Sequence, residues 1–234
     1  PAVIVPVTET KLKASYGTGF KAPSLSQLFR DYPTFNFFAN PNLQPEDSRG
    51  YDAGFEQPLF NDRVRFGSTY FRNDITNLID YNSTFTSLVN VNSATTEGTE
   101  TFVAAQITER FGIRADYTFI RAVNAATGMQ LLRRPKEKWS ATATWLPLDQ
   151  LTLSATLVRV NDWLDVTRDG MASGITAPGY TLVNLRGDYA LNDQVKVFGR
   201  IDSLLDFRYQ NPTGFLAPGL AVFGGIRVAS YGVR

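Results

Sequence analysis

The chain has 234 residues, 43% of them hydrophobic, and a formal net charge of +1, so disorder is not expected and nothing points to a nucleic-acid partner. It contains neither cysteine nor histidine, which excludes disulfides and thiolate metal sites and removes the usual general base. No apolar run approaches the ~20 residues that a spanning helix needs, and Pro1 to Pro6 lacks the charged leader and apolar core of a signal peptide.

What recurs along the chain is alternation with a period of two, the signature of strands with one oily and one wet face. Lys11, Lys13 and Ser15 share one parity, and Leu12, Ala14 and Tyr16 the other. An irregular stretch rich in Pro, Asn and aromatics then runs from Gly17 to about Asp47. Tyr51, Ala53, Phe55 and Leu59 oppose Asp52, Gly54 and Glu56; after a short link at Asn61-Asp62, Val64, Phe66 and Tyr70 oppose Arg65, Gly67 and Thr69. A second long loop is expected over roughly Asn73 to Ser93.

Gly98 to Phe119 states the pattern most clearly. Phe111, Ile113, Ala115, Tyr117 and Phe119 alternate with Gly112, Arg114, Asp116 and Thr118. Before the tight connector Thr108-Glu109-Arg110, Thr99, Thr101, Val103, Ala105 and Ile107 form the greasier parity, with Phe102 as an exception on the other. A loop follows from Ala122 to Glu137. Trp139, Ala141, Ala143 and Trp145 then oppose Lys138, Ser140, Thr142 and Thr144. A tight turn at Pro147 to Gln150 leads into Leu151, Leu153, Ala155 and Leu157, and a loop spans Asn161 to Pro178. Two strands around Val183–Tyr189 and Val195–Asp202 flank the turn Asn192-Asp193, and Leu220, Val222, Ile226 and Val228 close the pattern.

About ten strands of about nine to eleven residues are thus joined by connections that alternate strictly between short and long. Outer-membrane barrels have this arrangement, with short periplasmic turns and long extracellular loops. No helix of any length is expected. Phe111 and Phe119, eight residues apart, would stand about 20 Å apart along the membrane normal at the usual rise and tilt, roughly the height of an apolar band between aromatic girdles. The alternative is the core of a soluble sandwich. The charges argue against it, since Arg114, Asp116, Lys138, Arg186, Asp188, Lys196, Arg200 and Asp202 all fall on the wet parity, as a water-filled or plugged lumen accommodates.

Six phrases in order carry a family resemblance across nearly the whole chain: SYGTGFKAPSLSQLF (Ser15 to Phe29), NPNLQPE (Asn40 to Glu46), EGTE (Glu97 to Glu100), LLRRPK (Leu131 to Lys136), IDSLLDFRYQ (Ile201 to Gln210) and APGLAVFGGIR (Ala217 to Arg227). The chain resembles the barrel of TonB-dependent outer-membrane receptors of the cobalamin and siderophore type. The resemblance implies an all-β, antiparallel up-and-down transmembrane barrel of 22 strands, of which residues 1–234 are the carboxy-terminal part, with the plug domain and energy-coupling box absent. It further implies energy-coupled uptake of a bulky, scarce nutrient, a siderophore-metal chelate or cobalamin, across the bacterial outer membrane. The partners implied are lipid and lipopolysaccharide, the receptor's own plug, an energy-coupling periplasmic protein and a small-molecule ligand, with no cofactor. Family members usually end on an aromatic residue, whereas Tyr231 here is followed by three more residues. A passive porin-like channel is the alternative function.

Candidate substrate-binding residues are Tyr32, Phe35, Phe37 and Phe38, aromatics in an expected extracellular loop that can grip a flat ligand by stacking; packing against neighbouring loops is the other reading. Asn161, Asp162, Asp165 and Asp169 offer oxygens of the sort calcium uses, but their spacing is not that of an EF-hand and a solvated loop is expected. Arg133, Arg134 and Lys136 form a basic cluster that can meet lipopolysaccharide phosphates or an anionic ligand, whereas the resemblance implies a structural role at the rim, which is the expectation. Gly50, Gly54, Gly98 and Gly112 on the wet face leave room for a plug or allow curvature. Asp52 and Glu56 share a strand face, yet without a histidine or a nucleophile system no catalytic constellation forms, and no enzyme is expected.

Overall fold

A computed structural model describes residues 2–229. Eleven strands form one antiparallel sheet in which neighbours in sequence are neighbours in space. They are β1 (Ala2–Val5), β2 (Thr10–Lys21), β3 (Glu46–Leu59), β4 (Val64–Tyr81), β5 (Leu88–Thr108), β6 (Phe111–Asn124), β7 (Glu137–Leu148), β8 (Leu151–Val160), β11 (Tyr180–Ala190), β12 (Val195–Asp202) and β13 (Ala221–Val228). The short strands β9 (Trp163–Val166) and β10 (Ser173–Ala177) pair only with each other, as a hairpin inside the β8–β11 loop. The expected alternation of short and long connections holds except between β4 and β5, where only 82–87 intervene; elsewhere two-residue turns at 109–110 and 149–150 stand against long loops such as 161–179 and 203–220.

Register converts the parity of each strand into two continuous surfaces. One row crosses the sheet as Phe66, Val103, Ala115, Ala141, Leu157 and Val183; the row beside it, on the opposite face, reads Arg114, Thr142, Thr156 and Asn184. The oily surface is bare: Val222 is 70% exposed, Ile226 68% and Trp145 50%. In water that surface would be a large apolar patch with nothing against it. The buried apolar side chains are instead Leu43, Ala94, Ala122, Val160, Trp163, Val166 and Ala177, gathered at the end of the sheet that bears the long loops. Above the outward aromatics Tyr70, Phe119 and Trp139 the same face turns ionic, with Glu97 bridging Arg72 at 3.4 Å and Arg121 at 3.0 Å.

Phe102, the exception in the alternation, faces the wet side. Its ring lies over Gly67 on β4, its register partner, and the Arg114 guanidinium sits 4.5 Å above the ring centre. Phe198 repeats the arrangement with Gly225 and Arg186. An aromatic there is a bridge over a missing side chain rather than a break in the pattern. Arg114 and Arg186 each also bind the aspartate two positions on, Asp116 and Asp188, so wet-face charges are paired along their own strands.

Four expectations need correction. Asn73 to Ser93 is largely strand, because β4 runs on to Tyr81 and β5 begins at Leu88, leaving a six-residue tip. Beyond the apolar band both faces are wet, so the ladder continues without the apolar alternation that marks it in sequence. For the same reason β2 extends through Lys21, within the expected irregular stretch. The strand count is eleven plus the hairpin, and lengths reach 21 residues in β5. A short helix, α1 (Leu25–Phe29), does form; Ser24 Oγ accepts from Gln27 N at 3.2 Å while Gln27 Oε1 accepts from Ser24 N at 2.8 Å, a reciprocal cap. Tyr231 lies outside the described residues.

Candidate functional site

The long loops border an open cavity of about 1340 Å³ at their end of the sheet. Its aromatic wall comes from the β2–β3 and β4–β5 connections. Tyr32 and Phe37 exchange backbone hydrogen bonds (Tyr32 N to Phe37 O, 2.7 Å; Phe37 N to Tyr32 O, 3.2 Å) around a single 3-10 turn, Pro33–Phe35. Asn36 closes that turn at φ +49°, a left-handed position that asparagine tolerates. The rings then form a chain: Tyr32 to Phe37 at 6.3 Å, Phe37 edge-on to Tyr81 at 6.0 Å, Tyr81 to Phe85 at 5.7 Å. Tyr32, Phe35 and Phe37 therefore line the cavity with Tyr81 and Phe85. Phe38 is not among the lining residues; its backbone N–H donates to Thr86 O at 2.8 Å and fastens this loop to the β4–β5 tip.

The β6–β7 and β8–β11 loops supply the cations. Arg133, Arg134 and Arg168 reach the same cavity, together with Asp80 and Asp169. Arg133 and Arg134 thus turn into the mouth rather than outward along the rim, and Lys136 is not part of the lining. Arg168 lies 5.0 Å from the centre of the Phe215 ring, and neither it nor Arg134 has a carboxylate partner among the described residues.

Asn161, Asp162, Asp165 and Asp169 do not converge, because each serves its own part of the loop. Asn161 Nδ2 donates to Glu137 Oε2 at 2.6 Å, and Asp162 Oδ1 accepts from Gly179 N at 2.6 Å. Asp169 accepts from Thr167 Oγ1 and Met171 N, which hold its carboxyl below the usual range. Asp165 contradicts the expectation of a solvated loop: it is fully enclosed, at 0% exposure. Its Oδ1 accepts from Arg133 Nε and Val166 N, both at 2.8 Å, and its Oδ2 from Thr213 N at 2.8 Å and Trp163 Nε1 at 3.4 Å. Burial pushes this carboxyl up, but the donors of Arg133, Thr213 and Val166 outweigh it and hold the group well below the ordinary carboxylate range. Two of its partners, Val166 N and Trp163 Nε1, are local, but Arg133 and Thr213 lie 32 and 48 positions away and leave no mark in the sequence around Asp165.

Along the lumen, a Cβ at Gly98 would run into the Phe119 carbonyl oxygen and one at Gly54 would meet Ser68 O at 2.5 Å, so the sheet's own curvature requires these two glycines. Asp52 accepts from Ser15 Oγ and Glu56 from Lys13 Nζ at 2.9 Å, so this carboxylate pair is already engaged within the wall.

A bare outward band, a charged inner wall and a loop-borne mouth coincide with a match over residues 3–203 to the family described as TonB dependent receptor-like, beta-barrel. The chain belongs to that family. Among solved structures, the copper transporter OprC superimposes on 97% of this chain and 38% of its own with a TM-score of 0.77 at 19% identity. A mutant of the ferric enterobactin receptor PfeA from Pseudomonas aeruginosa, in complex with enterobactin, covers 94% and 38% with a TM-score of 0.76 at 20% identity. The siderophore receptor PirA from the same organism covers 94% and 36% with a TM-score of 0.68 at 21% identity. These likenesses show the fold, a partial barrel, and the chain spans little more than a third of each receptor. The family is one of transport receptors of the bacterial outer membrane.

Proposed function

We propose that this chain is the wall and part of the mouth of a receptor for energy-coupled uptake of a bulky, scarce nutrient, a siderophore-metal chelate or cobalamin. The cavity carries the reading. At about 1340 Å³ it exceeds the ~300–1,000 Å³ typical of small-molecule sites. Its aromatic chain offers stacking surface and its guanidiniums offer charge, and both come from extracellular loops. PfeA and PirA, named for siderophores, support a chelate cargo, while OprC is named for copper. In this reading the loops capture ligand, and a periplasmic protein then draws on a plug domain seated against the charged inner wall. Lipid and lipopolysaccharide surround the outward band. In this reading the chain's work is to bind the ligand and to wall its path.

The test is uptake by the full-length receptor, produced in cells stripped of their own chelate receptors. Radiolabelled iron chelates and labelled cobalamin should accumulate only when the energy-coupling protein and the proton gradient are intact. Accumulation that persists without either would make the protein a passive channel, and no accumulation of any of them would remove the proposed cargo.

A further inference from the structure

Asp165 and Arg133 meet at the base of the mouth, and their geometry has a use that loop packing alone does not require. Arginine binds an anion through a planar fork, and the choice of which nitrogens face the protein decides which remain for a ligand. Here Asp165 takes Nε, and the two terminal amino groups of Arg133 have no acceptor among the described residues. Arg133 lines the cavity with its side chain 47% exposed, while the carboxylate behind it has no exposure at all. The backbone is fixed as well: Arg133 N donates to Leu164 O at 2.7 Å, and Arg133 holds a left-handed conformation at φ +57°. Thr213 N and Val166 N complete the aspartate's shell, so three loops hold one guanidinium in place.

We propose that Asp165 is a positioning residue that presents the terminal amino groups of Arg133 to an oxyanionic group on the ligand, making the mouth selective for anionic chelates. Arg134 and Arg168, which have no carboxylate partners among the described residues, stand in the same cavity, together with Asp80 and Asp169. This inference rests on the receptor reading above and names the charge of its cargo.

Two probes bracket it, the trianionic ferric tris-catechol complex and a neutral ferric trihydroxamate, each titrated against the purified full-length receptor. The wild type should bind the trianionic probe more tightly, with an advantage that shrinks as salt rises. Arg133→Lys, which keeps the charge but loses the fork, should weaken that probe roughly 10- to 100-fold, the size expected for a lost charge-assisted hydrogen bond. Asp165→Asn should weaken it comparably, the double variant should fall no further than the worse single one, and the neutral probe should change little throughout. A purely structural aspartate would instead lower both probes together and compound with Arg133→Lys, which would overturn the proposal. Where Asp165→Asn disturbs barrel assembly, seen as loss of the heat-modifiable band on gels, Arg133→Lys alone decides, and unchanged selectivity refutes the cradle. Preference for the neutral probe would refute the anion selectivity and leave the receptor intact. Failure to bind either probe also refutes it, and the receptor reading itself falls only if energised uptake is absent too.

Discussion

Replacing Ala141 with arginine should destabilise the full barrel far more than the same change at the adjacent Thr142. Ala141 pairs with Ala115 on β6, and Ala115 lies four residues from Phe111 and four from Phe119. At the usual rise and tilt each aromatic level is about 10 Å away along the normal, which places Ala141 near the bilayer midplane. An arginine on the lipid face at that depth costs about 2–4 kcal/mol. Thr142 points into the lumen, where its hydroxyl lies 3.0 Å from that of Thr156. Losing that hydrogen bond costs about 0.5–1.5 kcal/mol, and the guanidinium there keeps water. The difference within the pair is therefore about 0.5–3.5 kcal/mol, or roughly 2- to 400-fold in the folding equilibrium. Reversible denaturant unfolding in lipid vesicles at fixed ionic strength measures it. Equal costs, or a larger cost at Thr142, would mean that the outward face never meets hydrocarbon.

Phe37→Ala removes the ring that links Tyr32 to Tyr81 and should weaken chelate binding about tenfold, the scale of one aromatic contact; Phe38→Ala, outside the cavity lining, should leave the same titration unchanged. Gly98→Ala places a methyl against the Phe119 carbonyl and should cost about 1–3 kcal/mol in vesicle unfolding, as overpacking does. Gly17→Ala is the control, since its Cβ meets nothing within 4 Å, and an equal loss there would refute the close-approach argument. The depressed pKa of Asp165 means that its ionised form stabilises the loops above the carboxyl's unfolded value and that this contribution is lost only as pH falls through the lower folded value. Pepsin should therefore spare the 161–179 loop of the wild type at about pH 3, and cut Asp165→Asn there; equal cutting would show that the carboxylate is not what holds the loop.

The faces of the membrane strands were readable residue by residue. A strand sorts its side chains locally, and a bilayer on one side with water on the other writes that sorting into the composition as a period of two. Hence Phe111 to Phe119 and Trp139 to Trp145 identify their own outward sides, and every wet-face charge from Arg114 to Asp202 falls where register puts it. The pattern faded wherever its cause did. Past the girdles both faces are wet, so the extensions of β4 and β5 around Asp74, Asn77, Asp80 and Asn90 read as loop although backbone pairing continues. The S-x-x-Q cap at Ser24 was a local signal for α1, and it was legible though unused. The aromatic half of the mouth was legible as composition, but only folding separates Phe37, which lines the cavity, from Phe38, which ties a loop down. The cationic half was legible only in part: Arg133 and Arg134 stood out as a basic cluster, whereas Arg168 and the burial of Asp165 did not. Arg133 resembles a rim residue and Asp165 a solvated one until β9 and β10 fold under the loops and remove the carboxylate from water. A buried charge needs donors, and beyond the adjacent Val166 N and Trp163 Nε1 those come from Arg133 and Thr213, 32 and 48 positions away. Alternation is a property of single strands and survives in the sequence; convergence of loops is a property of the assembled sheet and exists only in three dimensions.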